Sequence, residues 1–166
     1  MLLNEAIQEH IYQIHLTPTD LEVHASLGAS YAALSQLMRE PIQKANHPRI
    51  HSIKKIQASF EEQTSLYSRL AIEEFKILSH YASNDPWVHE QMAEGYKSLG
   101  LKGEETKEVE MLLKLKPQEK EILFRLGALY FAQGLNARGL QVYEELKKTH
   151  PKKAEELISS YGHLWR

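Results

Sequence analysis

The sequence predicts an all-α protein built from repeated pairs of helices. Apolar residues recur at steps of three and four along the long stretches of the chain, which is the spacing of one face of an α-helix. A helix–turn–helix pattern over residues 117–151 recurs upstream with a spacing of about 34 residues. Recurrence at such a period is typical of repeat proteins, in which each unit packs on its neighbours.

The stretch 117–151 carries the clearest copy of this pattern. Leu126 and Tyr130 belong to a first helical run, which Gly134 interrupts, and Tyr143 belongs to a second run that Pro151 ends. Proline ends a helix because it lacks an N–H group and restricts the residue before it. The stretch is therefore predicted to form one helical hairpin of about 34 residues.

Three glycines in this stretch have different predicted roles. Glycine inside a helix costs roughly 1 kcal/mol relative to alanine, so Gly127 and Gly139 are predicted to lie where two helices approach closely. Gly134 follows the first run, where a left-handed backbone conformation commonly closes a helix.

The first-helix signature occurs three times, as Leu27-Gly28-x-x-Tyr31, Met92-Ala93-x-x-Tyr96 and Leu126-Gly127-x-x-Tyr130. The last two copies are separated by one period. The first two lie farther apart, which indicates an insertion of about 31 residues in the first repeat. In the middle copy, Glu105 stands where the second helix should carry a small residue, and Val109 stands where it should carry an aromatic one.

These signatures resemble the tetratricopeptide repeat (TPR) family. The resemblance implies one domain, a right-handed superhelical array of about three helix pairs with a long helical insertion in the first repeat. Its predicted parts are a half-repeat or N-terminal cap helix (1–17), repeat one (18–85, insertion about 40–70), repeat two (86–117), repeat three (118–151) and a C-terminal capping helix (152–166).

The insertion gives the first repeat its unusual length. Its first helix is predicted to begin at Leu21 and to end at Pro41. A periodic apolar run over residues 53–81 then predicts a single helix on the order of 45 Å long. The basic residues of the insertion are predicted to form either a solvated face or a surface for an acidic partner; they are Arg39, Lys44, Arg49, Lys54 and Lys55.

Composition excludes several classes of protein. The formal net charge of −2 gives no basic footprint for nucleic acid, and no apolar run approaches the length of a membrane span. The absence of cysteine excludes disulfides, thiolate metal sites and a cysteine nucleophile, and it fits a cytoplasmic location. No phosphate-binding loop or hydrolase motif is present, so we expect neither catalysis nor a cofactor.

Nine histidines raise the alternative of a metal-dependent enzyme. His47 and His51 have the spacing of two ligands on one helix face, but Pro48 lies between them and no third ligand is evident. His24 and His89 occupy equivalent places on two first helices among apolar neighbours, so we expect them to be packed inside the protein. No metal site is predicted.

The resemblance also implies a concave groove lined by first helices, which takes an extended peptide or a helix of a partner protein. The matching groove positions are Ala25, Ala29 and Ala33 in repeat one, Glu90, Glu94 and Lys97 in repeat two, and Phe124, Arg125, Ala128 and Phe131 in repeat three. Chaperone-binding members of the family clamp a terminal carboxylate with a Lys and Asn pair, and alanines stand at those places in repeat one.

The function predicted from the sequence is non-catalytic protein–protein interaction. One alternative is a secretion-chaperone-like module that shields an apolar cargo segment on its alanine and phenylalanine positions. Another is an architectural segment of a longer repeat protein, which would associate with further copies or repeats. The half-repeat at residues 1–17 suggests this reading, because an array seldom begins with an unpaired helix.

Overall fold

The computed structural model describes residues 2–44 and 51–161, with side chains for residues 3–39 and 58–161. The described ranges contain eight α-helices and no β-strand. The helices are α1 (Leu2–Leu16), α2 (Leu21–Lys44), α3 (His51–Tyr81), α4 (Pro86–Ser98), α5 (Lys102–Leu115), α6 (Lys120–Ala132), α7 (Asn136–Thr149) and α8 (Pro151–Tyr161). The predicted all-α fold is confirmed.

The chain divides into two compact units. Unit 1 is Met1–Gly100 and contains α1 to α4, whereas unit 2 is Leu101–Arg166 and contains α5 to α8. The two helices assigned to repeat two, α4 and α5, therefore belong to different units. The single-domain organisation and the right-handed superhelical path implied by the resemblance stay predictions.

The turns inside the helix pairs repeat with the predicted period. Gly100 and Gly134 occupy the same place in consecutive repeats, and their backbone φ angles are 69° and 73°. Each glycine N–H donates to a carbonyl three positions earlier, that of Lys97 at 3.1 Å and that of Phe131 at 3.0 Å. The left-handed conformation predicted for Gly134 is confirmed, and glycine adopts it without the cost that a Cβ would add.

The turns that precede the first helix of each repeat also recur, and the insertion lies between the first two of them. The N–H groups of Asp20, Asp85 and Glu119 each donate to a carbonyl three positions earlier, at 3.1, 3.1 and 3.2 Å. The interval from Asp85 to Glu119 is one period, and the interval from Asp20 to Asp85 is longer by the insertion. Because the same turn recurs at both intervals, the backbone confirms the period and the predicted insertion in the first repeat.

The core of unit 1 forms where α2 crosses α3. A Cβ built on Gly28 would lie 3.0 Å from Cε1 of Phe75, so glycine lets the two helices approach closely at this point. Phe75 has no exposed surface, and Leu27 and Tyr31 pack in the same cluster. Ile7 of α1 and Met92 of α4 complete this cluster from outside the pair.

The two helices of this pair are much longer than the others. α2 has 24 residues and α3 has 31, and the latter spans about 46 Å at 1.5 Å per residue. The long second helix is confirmed, but the prediction that Pro41 ends α2 is wrong, because α2 continues to Lys44. Pro41 lies in the last turn of α2.

The core of unit 2 also depends on glycines. A Cβ on Gly139 of α7 would overlap the ring of Phe131 on α6, whose exposure is 2%. A Cβ on Gly127 would lie 2.6 Å from Cδ2 of Leu157 on α8. The predicted close contacts at both glycines are confirmed, although Gly127 faces the capping helix α8 more closely than its pair partner α7.

Polar contacts join α5 to α6. Glu105, whose side chain is only 6% exposed, accepts two hydrogen bonds from Arg125, from Nε at 3.0 Å and from Nη2 at 2.8 Å. The Tyr130 hydroxyl donates to Glu110 at 2.7 Å, and burial together with this hydrogen bond raises the pKa of Tyr130 to about 12. Glu105 thus occupies the position expected for a small residue by pairing with a cation on the neighbouring helix.

Gly139→Val should lower the free energy of unfolding by about 1–3 kcal/mol, because the new side chain overpacks the buried ring of Phe131. The measurement is urea unfolding followed by circular dichroism. Gly103→Ala is the control, since a Cβ there meets no other described atom within 4 Å. It should be neutral or stabilising by less than about 1 kcal/mol. Equal effects of the two variants would contradict the close crossing of α6 and α7.

Arg125→Met should destabilise the protein by about 1–3 kcal/mol, because it leaves the buried carboxylate of Glu105 without its cation. The double variant Arg125→Met/Glu105→Met should recover most of this loss, since it removes the buried charge. Lys120→Met is the control: its ion pair with Glu121 is exposed, and its loss should change stability by less than about 1 kcal/mol. A double variant no more stable than Arg125→Met would contradict this account.

Candidate protein-binding surface

The predicted groove positions of unit 1 lie on α2 and α4. Ala29, Glu90 and Lys97 are exposed, and Ala25 and Glu94 are partly buried. Ala33 is also partly buried. Lys97 Nζ lies 3.4 Å from Oε2 of Glu94, so the two charges pair along α4. These positions therefore provide solvent-accessible surface on the first helices of two consecutive repeats.

A cleft of about 50 Å³ separates these two helices, with α3 beneath them. We refer to it as the α2–α4 cleft. Its lining residues are Ala32, Ser35, Gln36 and Arg39 of α2, Ser68 and Ala71 of α3, and Gln91, Glu94, Gly95 and Ser98 of α4. Of the predicted positions only Glu94 belongs to this lining.

Small side chains form the bottom of the α2–α4 cleft. Ser35 and Ser68 are buried and share a hydrogen bond of 2.7 Å between their Oγ atoms, and Ser35 also donates to the Thr64 carbonyl at 3.3 Å. A Cβ on Gly95 would lie 2.7 Å from Cγ1 of Ile72, so glycine allows α4 to pack closely on α3. The hydroxyl groups are satisfied within the protein and need no ligand.

Longer polar side chains surround the opening of the cleft. Gln36 is exposed and Gln91 partly buried, and each side-chain amide offers both a donor and an acceptor. Arg39 Nη1 lies 3.5 Å from Ser98 Oγ, which is a long hydrogen bond between α2 and α4. The opening thus presents one cation, one carboxylate in Glu94, and two amides.

The sequence contained a signal for the residues that the prediction missed. Positions 25, 29, 32, 36 and 39 follow steps of four and three, so they lie on one face of α2. The prediction extended this face from Ala29 to Ala33, one position away from Ala32, and assigned Arg39 to the basic insertion. The other basic residues of the insertion, Lys44, Arg49, Lys54 and Lys55, lie outside the described side chains.

The predicted groove positions of unit 2 do not form a comparable open surface. Phe131 is 2% exposed and packs on Gly139, so the structure places it in the α6–α7 interface instead of a groove. Arg125 pairs with Glu105, as described above. Lys153 of α8 places its ammonium 4.3 Å from the ring centre of Phe124. Phe124 and Ala128 are partly buried.

Two further features bear on the kind of site. Within the described residues, no group of three His, Asp or Glu side chains is placed to hold a metal ion. His47 and the side chain of His51 lie outside the described part, whereas His24 and His89 are buried as predicted. Among the described residues, no helix is both long and apolar enough to cross a membrane.

No protein-family model and no curated protein matches this sequence. Among solved structures, a thermophilic TPR protein from Thermus thermophilus aligns with 20% identity and a TM-score of 0.47, over 98% of this chain and 73% of that chain. Two structures of MamA align with 17% identity and TM-scores of 0.46 and 0.47. They cover 92% of this chain and 85% and 91% of their own.

The chain's own backbone carries the fold assignment. Both kinds of turn recur with the repeat period, and the two left-handed glycines occupy equivalent places. Small residues at corresponding positions of the helices allow close crossings in both units, as the resemblance implied. The protein therefore has a TPR-like helical-repeat fold.

Proposed function

We propose that the protein is a non-catalytic interaction scaffold, and that its α2–α4 cleft holds an extended segment of a partner protein. The observation that carries this proposal is the cleft itself. It separates the first helices of two consecutive repeats, its bottom consists of small side chains, and its opening is polar. An extended chain can lay its backbone across such an opening and direct a small side chain inward.

The chemistry of the opening supports an extended peptide over a helical partner. A peptide group needs one acceptor and one donor, and the side-chain amides of Gln36 and Gln91 supply both. In a helix these backbone groups are already paired within the segment. Arg39 adds a cation to this opening, whereas the carboxylate of Glu94 pairs with Lys97, so the partner segment is expected to be polar.

The predicted alternatives have less support. A secretion-chaperone-like activity was inferred from an apolar surface that included Phe131, and this side chain is buried between α6 and α7. An architectural role, with association of further copies, rests only on the prediction that residues 1–17 form a half-repeat. The histidine pair weighed for the enzyme alternative, His47 and the side chain of His51, lies outside the described part of the chain.

The class of partner and the location of the protein in the cell are also proposals. A protein partner is expected instead of nucleic acid, because the formal net charge is −2 and phosphate recognition requires clustered basic residues. The absence of cysteine fits the reducing environment of the cytoplasm, where we place the protein.

Ala32→Arg should block the cleft and weaken binding of a partner peptide at least about tenfold, because a long cation then occupies the space between α2 and α4. The probe is a fluorescent peptide selected against the wild-type protein from a display library of random short peptides. Fluorescence anisotropy gives its Kd.

Ala137→Arg is the control for added charge, since Ala137 is exposed on α7 of the other unit. Its Kd should stay within about twofold of the wild-type value, and circular dichroism should show that both variants keep the wild-type thermal midpoint. The proposal is overturned if Ala32→Arg is folded and binds as the wild type does. If selection from a diverse library yields no peptide that binds the wild-type protein, this result also contradicts an extended-peptide site.

A further inference from the structure

His24 makes two contacts that a neutral imidazole cannot make together. Its exposure is 4%, its Nδ1 lies 2.6 Å from Oε2 of Glu74 on α3, and its Nε2 lies 3.1 Å from the Pro18 carbonyl in the α1–α2 turn. A carboxylate and a carbonyl oxygen both accept hydrogen bonds, so both ring nitrogens must donate. Only the imidazolium form carries two N–H groups.

The groups around His24 favour this charged form. Burial alone would lower the pKa of His24, but the hydrogen bonds to Glu74 and to the Pro18 carbonyl, together with the negative charges of Glu74 and Asp20, raise it above its ordinary value of 6.5. Burial, followed by the charge of Glu74, raises the pKa of Tyr31, so its hydroxyl stays neutral near pH 7. The titratable groups around this contact are Asp20 in the turn, Tyr31 on α2, and Glu74 and Tyr67 on α3.

The same position carries a histidine in the second repeat and a leucine in the third. His89, its equivalent in the second repeat, is also buried and donates from Nε2 to the carbonyl of Ser83 at 2.9 Å, and Glu108 stands at the position of Glu74 in that repeat. Leu123, its equivalent in the third repeat, is 1% exposed and cannot titrate. Val142 corresponds to Glu74 in the third repeat, so Leu123 and Val142 there occupy the positions of His24 and Glu74. An ionic pair is thus not a requirement of the fold at this position.

We propose that His24 and Glu74 form a pH-sensitive latch that holds the α1–α2 turn against α3. While His24 is protonated, one residue bridges the turn and α3. When His24 loses its proton, one ring nitrogen presents a lone pair to an acceptor, and one of the two contacts is lost. The turn is then released, and with it the attachment of α1, whose Ile7 packs in the core of unit 1.

The pH range follows from the direction of the shift. The folded-state pKa lies above the unfolded value, so the latch contributes its full stability below about pH 6.5, and this contribution is lost as the pH rises through the folded-state pKa. Mildly alkaline conditions therefore loosen the turn, and mildly acidic conditions hold it.

Nuclear magnetic resonance of the full chain, with ¹⁵N-labelled histidine, measures the protonation state directly between pH 5 and 9. His24 should keep two protonated nitrogens at pH 7, and its midpoint should fall in Glu74→Gln. A midpoint at or below 6.5 in the wild type would overturn the proposal. So would a midpoint that Glu74→Gln leaves unchanged.

Hydrogen exchange and urea unfolding measure the consequence. Amide protection of residues 17–24, corrected for the intrinsic rate, should fall at least about threefold between pH 6 and 9 relative to residues 116–123, where the same turn precedes Leu123. Between pH 6 and 9, the equilibrium constant for unfolding should rise at least about threefold more for the wild type than for His24→Leu/Glu74→Val. This double variant carries the residues that the third repeat has at the two positions. If the two turns show the same pH dependence of exchange, and the wild type and the double variant show the same pH dependence of unfolding, no latch exists.

Discussion

Close helix crossings at residues without side chains hold each unit of this protein together. Gly28 admits the ring of Phe75, Gly139 admits that of Phe131, and Gly127 admits Leu157. At each crossing a large side chain of one helix contacts the backbone of another, so the buried area is gained without separating the two helix axes. Each glycine weakens its own helix, and the packing that it permits outweighs this cost.

Polar side chains also join neighbouring helices, including at one position where a small residue was expected. Glu105 takes the small position of α5, and the guanidinium of Arg125 neutralises it in a largely buried contact. In unit 1, Ser35 and Ser68 meet at the middle of the α2–α3 pair and satisfy each other. Such contacts need correct geometry to offset the loss of hydration, so they fix the alignment of neighbouring helices more strictly than apolar contacts do.

The sequence was sufficient to predict features that depend on neighbouring residues. The positive φ of Gly134, the repeat period and the insertion all follow from local residue types and their recurrence. It was insufficient where several faces of a helix are equally apolar. From Ile122 to Phe131, α6 is apolar on nearly every side, so periodicity alone could not show that Phe131 turns towards α7. Nor could it show that Leu157, far along the chain, is the close neighbour of Gly127.

The surface residues of the α2–α4 cleft were hard to predict for a related reason. A core position is restricted by volume, and its residue type reflects that restriction, whereas a solvent-exposed groove position tolerates many types. Ala25, Ala29 and Ala32 attract attention because alanine also favours helices, so their presence does not distinguish a groove from a well-formed helix. Gln36 and Gln91 become informative only when the structure places them on opposite sides of one opening.

The first repeat differs from the third repeat in each of the features on which our two proposals rest. It contains the long α2–α3 pair, it contributes Gln36 and Arg39 to the cleft, and it has His24 and Glu74 where the third repeat has apolar residues. Apolar residues at the latter two positions would support the same fold without titrating. An ionic pair held at a site where apolar residues suffice adds sensitivity to pH more than it adds stability, since pairing has to offset the desolvation of both charges. The crossings at glycine thus determine the architecture, and the polar residues of the first repeat are where we propose that the protein responds to a partner and to pH.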